Sequence, residues 1–364
     1  MMKSHTLTNR LWSKYFWWVL MWLAAALSVE FSLYRLVGSL SEDIPRLYGS
    51  YALRSLFFIL SSLLAVGVFH TKAVKKQRQE GTLFASNALW SKRQSLLAAS
   101  IVLLNLLFVG LLFWIPSLFS ALALEGSLVE TLSAIFFFVG SAVFGTKFYG
   151  ILRQRFPNKF LVMLGLGFLT IVFFVIAMEE VSWFQRILAF DTPETFSKNL
   201  QGEFNIHNFA TKMFENAFYT GAFVCLIGLP FLYSVSAIPG KLKGLEVFLG
   251  SRFTLCVSSL FVAYNYHYWN SFSTQLPYFL TLLMLASLFR LSSTKGNKRV
   301  YIAFLCLLLV TQLSFFLQGH TMNRLWDATE YKEFFIALGF LLYSFDVKRN
   351  LLQYVSRYGN ALVL

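Results

Sequence analysis

The chain of 364 residues is 57% hydrophobic and 18% aromatic but only 13% charged, a balance outside the range of soluble globular domains and within that of polytopic membrane proteins. Its net charge of +14 comes without a basic run interleaved with polar residues, so the cations read as orientation signals in short gaps, and nucleic acid is excluded as a partner. Cys225, Cys256 and Cys306 lie in separate apolar segments with no Cys-x-x-Cys spacing, which excludes a disulfide framework and a thiolate metal site.

A hydrocarbon core about 30 Å thick takes roughly 20 apolar residues per helix. The first such run, 15–37, follows a basic start and contains Ala24-Ala25-Ala26; it is longer than a signal-peptide core and reads as an uncleaved helix. Runs at 51–69, 95–115, 131–149 and 159–178 follow, then 217–236, 253–269, 277–292, 300–318 and 331–345, about ten spans in all, or eight or nine if the shorter ones do not cross. With the N-terminus cytoplasmic, the inner segments hold 23 of the 31 Lys and Arg residues, and 14 of the 17 acids fall outside. That bias orients the chain with both termini in the cytoplasm. The expected fold is therefore all-α, a polytopic transmembrane helical bundle forming a single membrane domain over 1–364. It divides into five spans (1–178), an outer-face loop with interfacial helices (179–216) and five further spans (217–364). Trp17, Trp18, Trp22, Trp114, Trp183 and Trp269 lie towards span ends, as interfacial aromatics do.

The segment 178–208, MEEVSWFQRILAFDTPETFSKNLQGEFNIHN, is the one polar stretch in this background. Ionisable groups at a membrane helix end are expensive and point to function. If the fifth helix continues through Arg186, then at about 100° per residue Glu179, Ser182, Gln185 and Arg186 share one arc, with Glu180 and Trp183 to its side. An ion pair that merely ends the helix at the headgroups is the competing explanation. Asp191 or Thr192, Pro193 and Glu194 spell a helix start and Gly202 a stop, so a short interfacial helix is expected there. From 201 a further helix is expected to feed the sixth span, with Asn205 as its N-cap. Ile206, Phe209, Met213 and Phe214 would form its apolar face, and His207, Thr211 and Glu215 its polar one. An imidazole at His207 can act as acid, base or ligand, or simply as a hydrogen-bonding group.

His207, His267 and His320 fall in three outer segments, but no His-x-x-x-His or His-Glu-x-x-His spacing supports a metal site, and no cofactor is indicated. Asp327 and Glu330 have the spacing of a capping box, whereas Glu333 opens an apolar run and would sit at membrane depth. Glu30, Arg35 and Arg54 add charge at the same level, with mutual pairing or snorkelling as the plain explanation. The aromatic stretch 264–272, YNYHYWNSF, reads as an interfacial belt.

At these residues the chain resembles a group of uncharacterised bacterial multi-span membrane proteins. They carry Glu-Glu-x-Ser-Trp-Gly-Gln-Arg, then Thr-Pro-Glu, then Gln-Gly-Glu-x-Asn-x-His-Asn. The matching residues are Glu179, Glu180, Ser182, Trp183, Gln185 and Arg186; Thr192, Pro193 and Glu194; and Gln201, Gly202, Glu203, Asn205, His207 and Asn208, with Phe184 in place of the glycine. The resemblance implies a multi-pass protein of the bacterial inner membrane with the motif loop on the periplasmic side, and supplies no activity. Membrane hydrolases similar to alkaline ceramidases use a serine, an acid and three histidines, but their histidine spacing is absent here.

Acids, an imidazole and a guanidinium on one face suit an enzyme that transfers or hydrolyses a group on a lipid or lipid-linked sugar at the outer leaflet. Glu179, Glu180 and His207 are the expected acid–base residues. Arg186 is the expected phosphate clamp, with Ser182, Trp183, Gln185, Glu203, Asn205, Asn208, His320 and Glu333 around the substrate. Membrane lipids are the expected partners. A transporter or flippase for an anionic lipid-like substrate, and an assembly or scaffold protein docking through the outer loop, are the alternatives.

Overall fold

The computed structural model describes residues 45, 49–80, 90–124, 126–199, 202–235 and 240–359. The expected first span, with Trp17, Trp18, Trp22, Glu30 and Arg35, lies outside the described residues, as do Gln201 and both chain ends. Every described element is helical. In chain order they are α1 (Gly49–Glu80), α2 (Lys92–Trp114), α3 (Pro116–Leu122), α4 (Leu128–Gly150), α5 (Lys159–Glu180), the single turn α6 (Gln185–Leu188), α7 (Thr211–Phe223), α8 (Leu229–Val235), α9 (Arg252–Ser258), α10 (Phe272–Leu291), α11 (Lys295–Gln318) and α12 (Asp327–Tyr358).

Seven helices among the described residues are long and apolar enough to cross a membrane: α1, α2, α4, α5, the α7–α8 unit, α10 and α11. Each covers one of the expected spans. Local chemistry sets several boundaries. Ser91 and Gln94 close a capping box at the start of α2, the Ser91 hydroxyl accepting from the Gln94 amide at 3.2 Å and the Gln94 side chain accepting from the Ser91 amide at 3.0 Å. Pro116 opens α3 at the position where its missing amide costs nothing. Between α7 and α8 the turn Val224–Gly228 widens to π geometry just ahead of Pro230, which has no amide to continue the α ladder.

Two expected spans take a different form. The run at 253–269 is helical only through α9 and the 3-10 turn Ser259–Ala263; the backbone then runs irregularly to α10. The run at 331–345 is the middle of α12, whose 32 residues measure roughly 48 Å at 1.5 Å per residue. Glu330, Lys332, Glu333 and Asp346 lower its apolarity, and it is not among the seven. It is instead the packed centre of the bundle, lying against α4, α9 and the 3-10 segments Gly240–Phe248 and Ser259–Ala263.

Lipid tails are as apolar as leucine, so helices in a bilayer associate through close packing and hydrogen bonds. Gly339 permits the approach of α12 to α9, since a Cβ there would stand 2.5 Å from Ser258 Oγ and 2.9 Å from Leu226 Cδ1. Towards the other end of α12, Phe119 stacks on Tyr331 at 4.1 Å, and Phe108, Tyr264, Phe315 and Phe335 complete the aromatic packing. Asp346 fastens the start of α9 to α12, accepting from the Ser251 amide at 2.7 Å and the Thr254 hydroxyl at 2.6 Å while Arg349 pairs with its second oxygen at 2.9 Å. The capping box expected at Asp327 and Glu330 does not form. Trp326 is the cap residue, and Asp327, already inside the helix, is buried and bound by the Arg324 guanidinium at 2.7 Å.

Candidate functional site

The motif at 178–208 does not continue α5. The helix ends at Glu180, and Ser182, Trp183 and Phe184 follow with φ of 47°, 51° and 62°. The shared arc of Glu179, Ser182, Gln185 and Arg186 is thus not formed, because three left-handed residues turn the chain out of its helix. Each costs roughly 1–3 kcal/mol outside glycine and persists only where surroundings over-determine it. Here Trp183 Nε1 donates to Glu179 Oε1 at 2.7 Å, Ser182 Oγ donates to Glu203 Oε2 at 2.6 Å, and the Phe184 ring stacks on Phe138 at 6.2 Å.

Most of the motif's polar groups tie its first half to its second. Glu179 Oε2 accepts from the Ile206 amide at 2.7 Å, and Gln185 Oε1 accepts from the Phe204 amide at 2.6 Å. Gln185 Nε2 donates to Thr192 Oγ1, which donates on to the Gly202 carbonyl at 2.7 Å. Asn199 bridges the rest: its amide donates to the Glu203 and Asn205 carbonyls at 2.6 and 3.1 Å, and its oxygen accepts from the Glu203 amide at 3.2 Å. Irregular backbone away from water needs such partners for its N–H and C=O groups. The two helices expected here shrink accordingly, to the 3-10 turns Phe196–Lys198 and His207–Phe209, and α7 starts only at Thr211. Asn205 caps no helix. Its Nδ2 donates to Glu203 at 3.4 Å, and its buried Oδ1 has no hydrogen-bond partner among the described residues.

Glu180 is held differently. Half-buried at the end of α5, it makes no hydrogen bond among the described residues, and Glu333, Glu130, Glu330 and Glu179 stand within its electrostatic reach. Helices α4, α5 and α12 thus bring carboxyls to one place. Glu333 Oε1 accepts from the Tyr219 hydroxyl of α7 at 2.6 Å. The Tyr219 ring in turn lies 4.3 Å from Lys332 Nζ, and that ammonium donates to Asn265 Oδ1 at 2.7 Å.

Several expected site residues lie elsewhere. Asn208 is buried in the loop, and His320 is exposed in the turn Gly319–Thr321, with no described contact to the acids. The side chains of Arg186 and His207 lie outside the described residues. In the stretch 264–272, Tyr264, Asn265, Tyr266, Trp269 and Asn270 are buried, so these residues pack inward just ahead of α10. Among the described residues no three His, Cys, Asp or Glu side chains are arranged to hold a metal ion.

Lys332, Tyr219, Asn265, Asn199 and Gln312 are the residues that sequence reasoning missed. Gln312 carried a legible signal, a strongly polar side chain within the apolar run 300–318, where such a group needs a partner across the bundle. Compared with known protein families, curated proteins and solved structures, the chain matches none of them.

Proposed function

We propose that the protein is an enzyme of the bacterial inner membrane, with about ten spans and both termini cytoplasmic. It would modify a lipid or lipid-linked sugar at the outer leaflet by transfer or hydrolysis. The observation that carries this is Glu180, a half-buried carboxyl with no hydrogen bond among the described residues, facing Glu333 within a group of acids on rigid helices. Neighbouring carboxyls can divide the acid and base roles between them. Glu180 is the proposed base and Glu333, steadied by Tyr219, the proposed partner acid. Glu179, with both oxygens already engaged, and Ser182, Trp183, Gln185, Glu203, Asn205 and Asn208 are proposed to position the loop. His207 is the proposed second acid or base and Arg186 the clamp for a charged headgroup.

The loop also exposes Leu188, Phe190, Ile206, Phe209 and Met213, an apolar rim along which a lipid can approach sideways. Mass spectrometry of membrane lipids from cells producing the wild type or Glu180→Gln tests the proposal. A lipid species altered by the wild type alone supports it, and identical profiles at equal protein levels remove it.

A second reading, a transporter or flippase for a lipid-like anionic substrate, is favoured by the buried irregular segment after Ala263. Non-helical backbone buried within a membrane helix bundle commonly lines a substrate path. Translocation of a labelled lipid in proteoliposomes without chemical change would support this reading over the first.

A further inference from the structure

Lys332 takes no part in the chemistry proposed for Glu180 and Glu333, yet it is a costly residue to place inside a helix bundle. It is 5% exposed on the central helix, and a buried ammonium is tolerated only where partners offset its lost hydration. Its described partners are Asn265 Oδ1, the Tyr219 ring and, at longer range, the carboxylates Glu215 and Glu333. Around it Phe261, Val262, Ser273, Thr274 and Pro277 line a tight crevice.

Asn265 is built to receive that ammonium. It is the second residue beyond the 3-10 turn Ser259–Ala263, on irregular backbone, and its amide cannot turn over. Nδ2 donates to the Val262 carbonyl and to Gln312 Oε1 at 3.1 Å, while the Asn265 carbonyl accepts from Gln312 Nε2 at 2.7 Å. Oδ1 is thereby left to face α12. The crevice wall holds one further acceptor, since Pro277 has no N–H for the Ser273 carbonyl inside α10. An interrupted helix that presents oxygen acceptors inside a bundle is suited to a cation. Here the cation is supplied by a side chain, and it is one that a proton can create or remove.

We infer that Lys332 is an interior proton-binding site: protonated, it binds Asn265 and holds 264–271 in its irregular path; deprotonated, it releases that segment. The proton enters as Nζ goes from the neutral amine to the ammonium and leaves by the reverse step, with no other bond changed. Burial opposes the charge, whereas Asn265, the Tyr219 ring, Glu215 and Glu333 favour it. Helix α7 faces Lys332 with Glu215 and Tyr219, and its own helix contributes Glu333. Of the crevice residues on the Ser259–Ala263 turn, the irregular segment and α10, none titrates, and the Tyr264 hydroxyl is engaged by Asn105 at 3.0 Å. Proton binding and the shape of the helix break are then linked in both directions. The inference holds whether the outer acids catalyse or transport.

Hydrogen exchange of the full-length protein in lipid nanodiscs, followed across pH and corrected for intrinsic exchange, tests it. In the wild type, 264–271 should lose protection by about tenfold as pH rises through the Lys332 transition, with α12 unchanged. Lys332→Arg, which cannot release its proton in this range, should stay protected throughout, and Lys332→Met should be unprotected at every pH. Should Lys332→Met fail to fold, Asn265→Leu replaces it with the same expectation for 264–271. A flat wild-type profile, or a pH-dependent loss that survives in Lys332→Arg, overturns the inference.

Discussion

The motif loop and the break after Ala263 both hold irregular backbone in a helical protein, but they stabilise it in opposite ways. In the loop, residues close in sequence satisfy one another: Glu179 reaches Ile206, Ser182 reaches Glu203, Gln185 reaches Phe204 and Thr192, and Asn199 spans 203–205. At the break the partners come from across the bundle. Lys332 of α12 and Gln312 of α11 hold Asn265, and Asn105 of α2 holds Tyr264 while donating to Thr311 at 3.0 Å. The motif loop is thus folded largely on itself, and the break after Ala263 is held by other helices. The proposed acid pair sits where the two meet, Glu180 at the edge of the loop and Glu333 beside Lys332.

The sharpest way to break this contrast is at Asn265. Asn265→Leu leaves the ammonium buried without its acceptor and should cost about 3–5 kcal/mol. Adding Lys332→Met should recover most of that loss in thermal unfolding of the purified protein, and no recovery would mean that the two residues are not coupled. Asn199→Ala should cost about 2–3 kcal/mol, but locally. Exchange should rise across 199–206 with α12 still protected, whereas a loss spread through the bundle would show that the loop is not self-contained.

Gly319→Ala probes the break from α11, because a Cβ at that position has no room beside the Tyr266 ring. Overpacking there should lower stability by about 1–3 kcal/mol. The smallest effect is expected at Phe184, where φ is 62°. Phe184→Gly should be more stable than Phe184→Ala by about 1 kcal/mol, since both lose the stack on Phe138 but only glycine relieves the strain. The reverse order in chemical denaturation would remove the left-handed turn.

Much of the fold was legible in the chain. All seven membrane-length helices fall on apolar runs visible in the sequence, because a bilayer demands long apolar stretches whatever they pack against. The motif loop was legible as a place, its polar density standing out between apolar runs. Its conformation was not, since nothing local in Ser182, Trp183 or Phe184 favours positive φ. Which residues of the aromatic stretch 264–272 turn inward was not legible for a similar reason: tyrosine, tryptophan and asparagine suit both a bundle surface and its interior, and partners such as Gln312 and Lys332 hold Asn265 inward.

The sequence by itself determined that this is a helical membrane protein and where its polar loop falls, because those properties depend on composition and spacing along one chain. Tertiary structure alone decided which polar groups are taken up in folding the loop, which acids face each other and what holds the broken helix. Those outcomes depend on pairings between helices whose residues lie as far apart in the chain as Asn105 and Thr311.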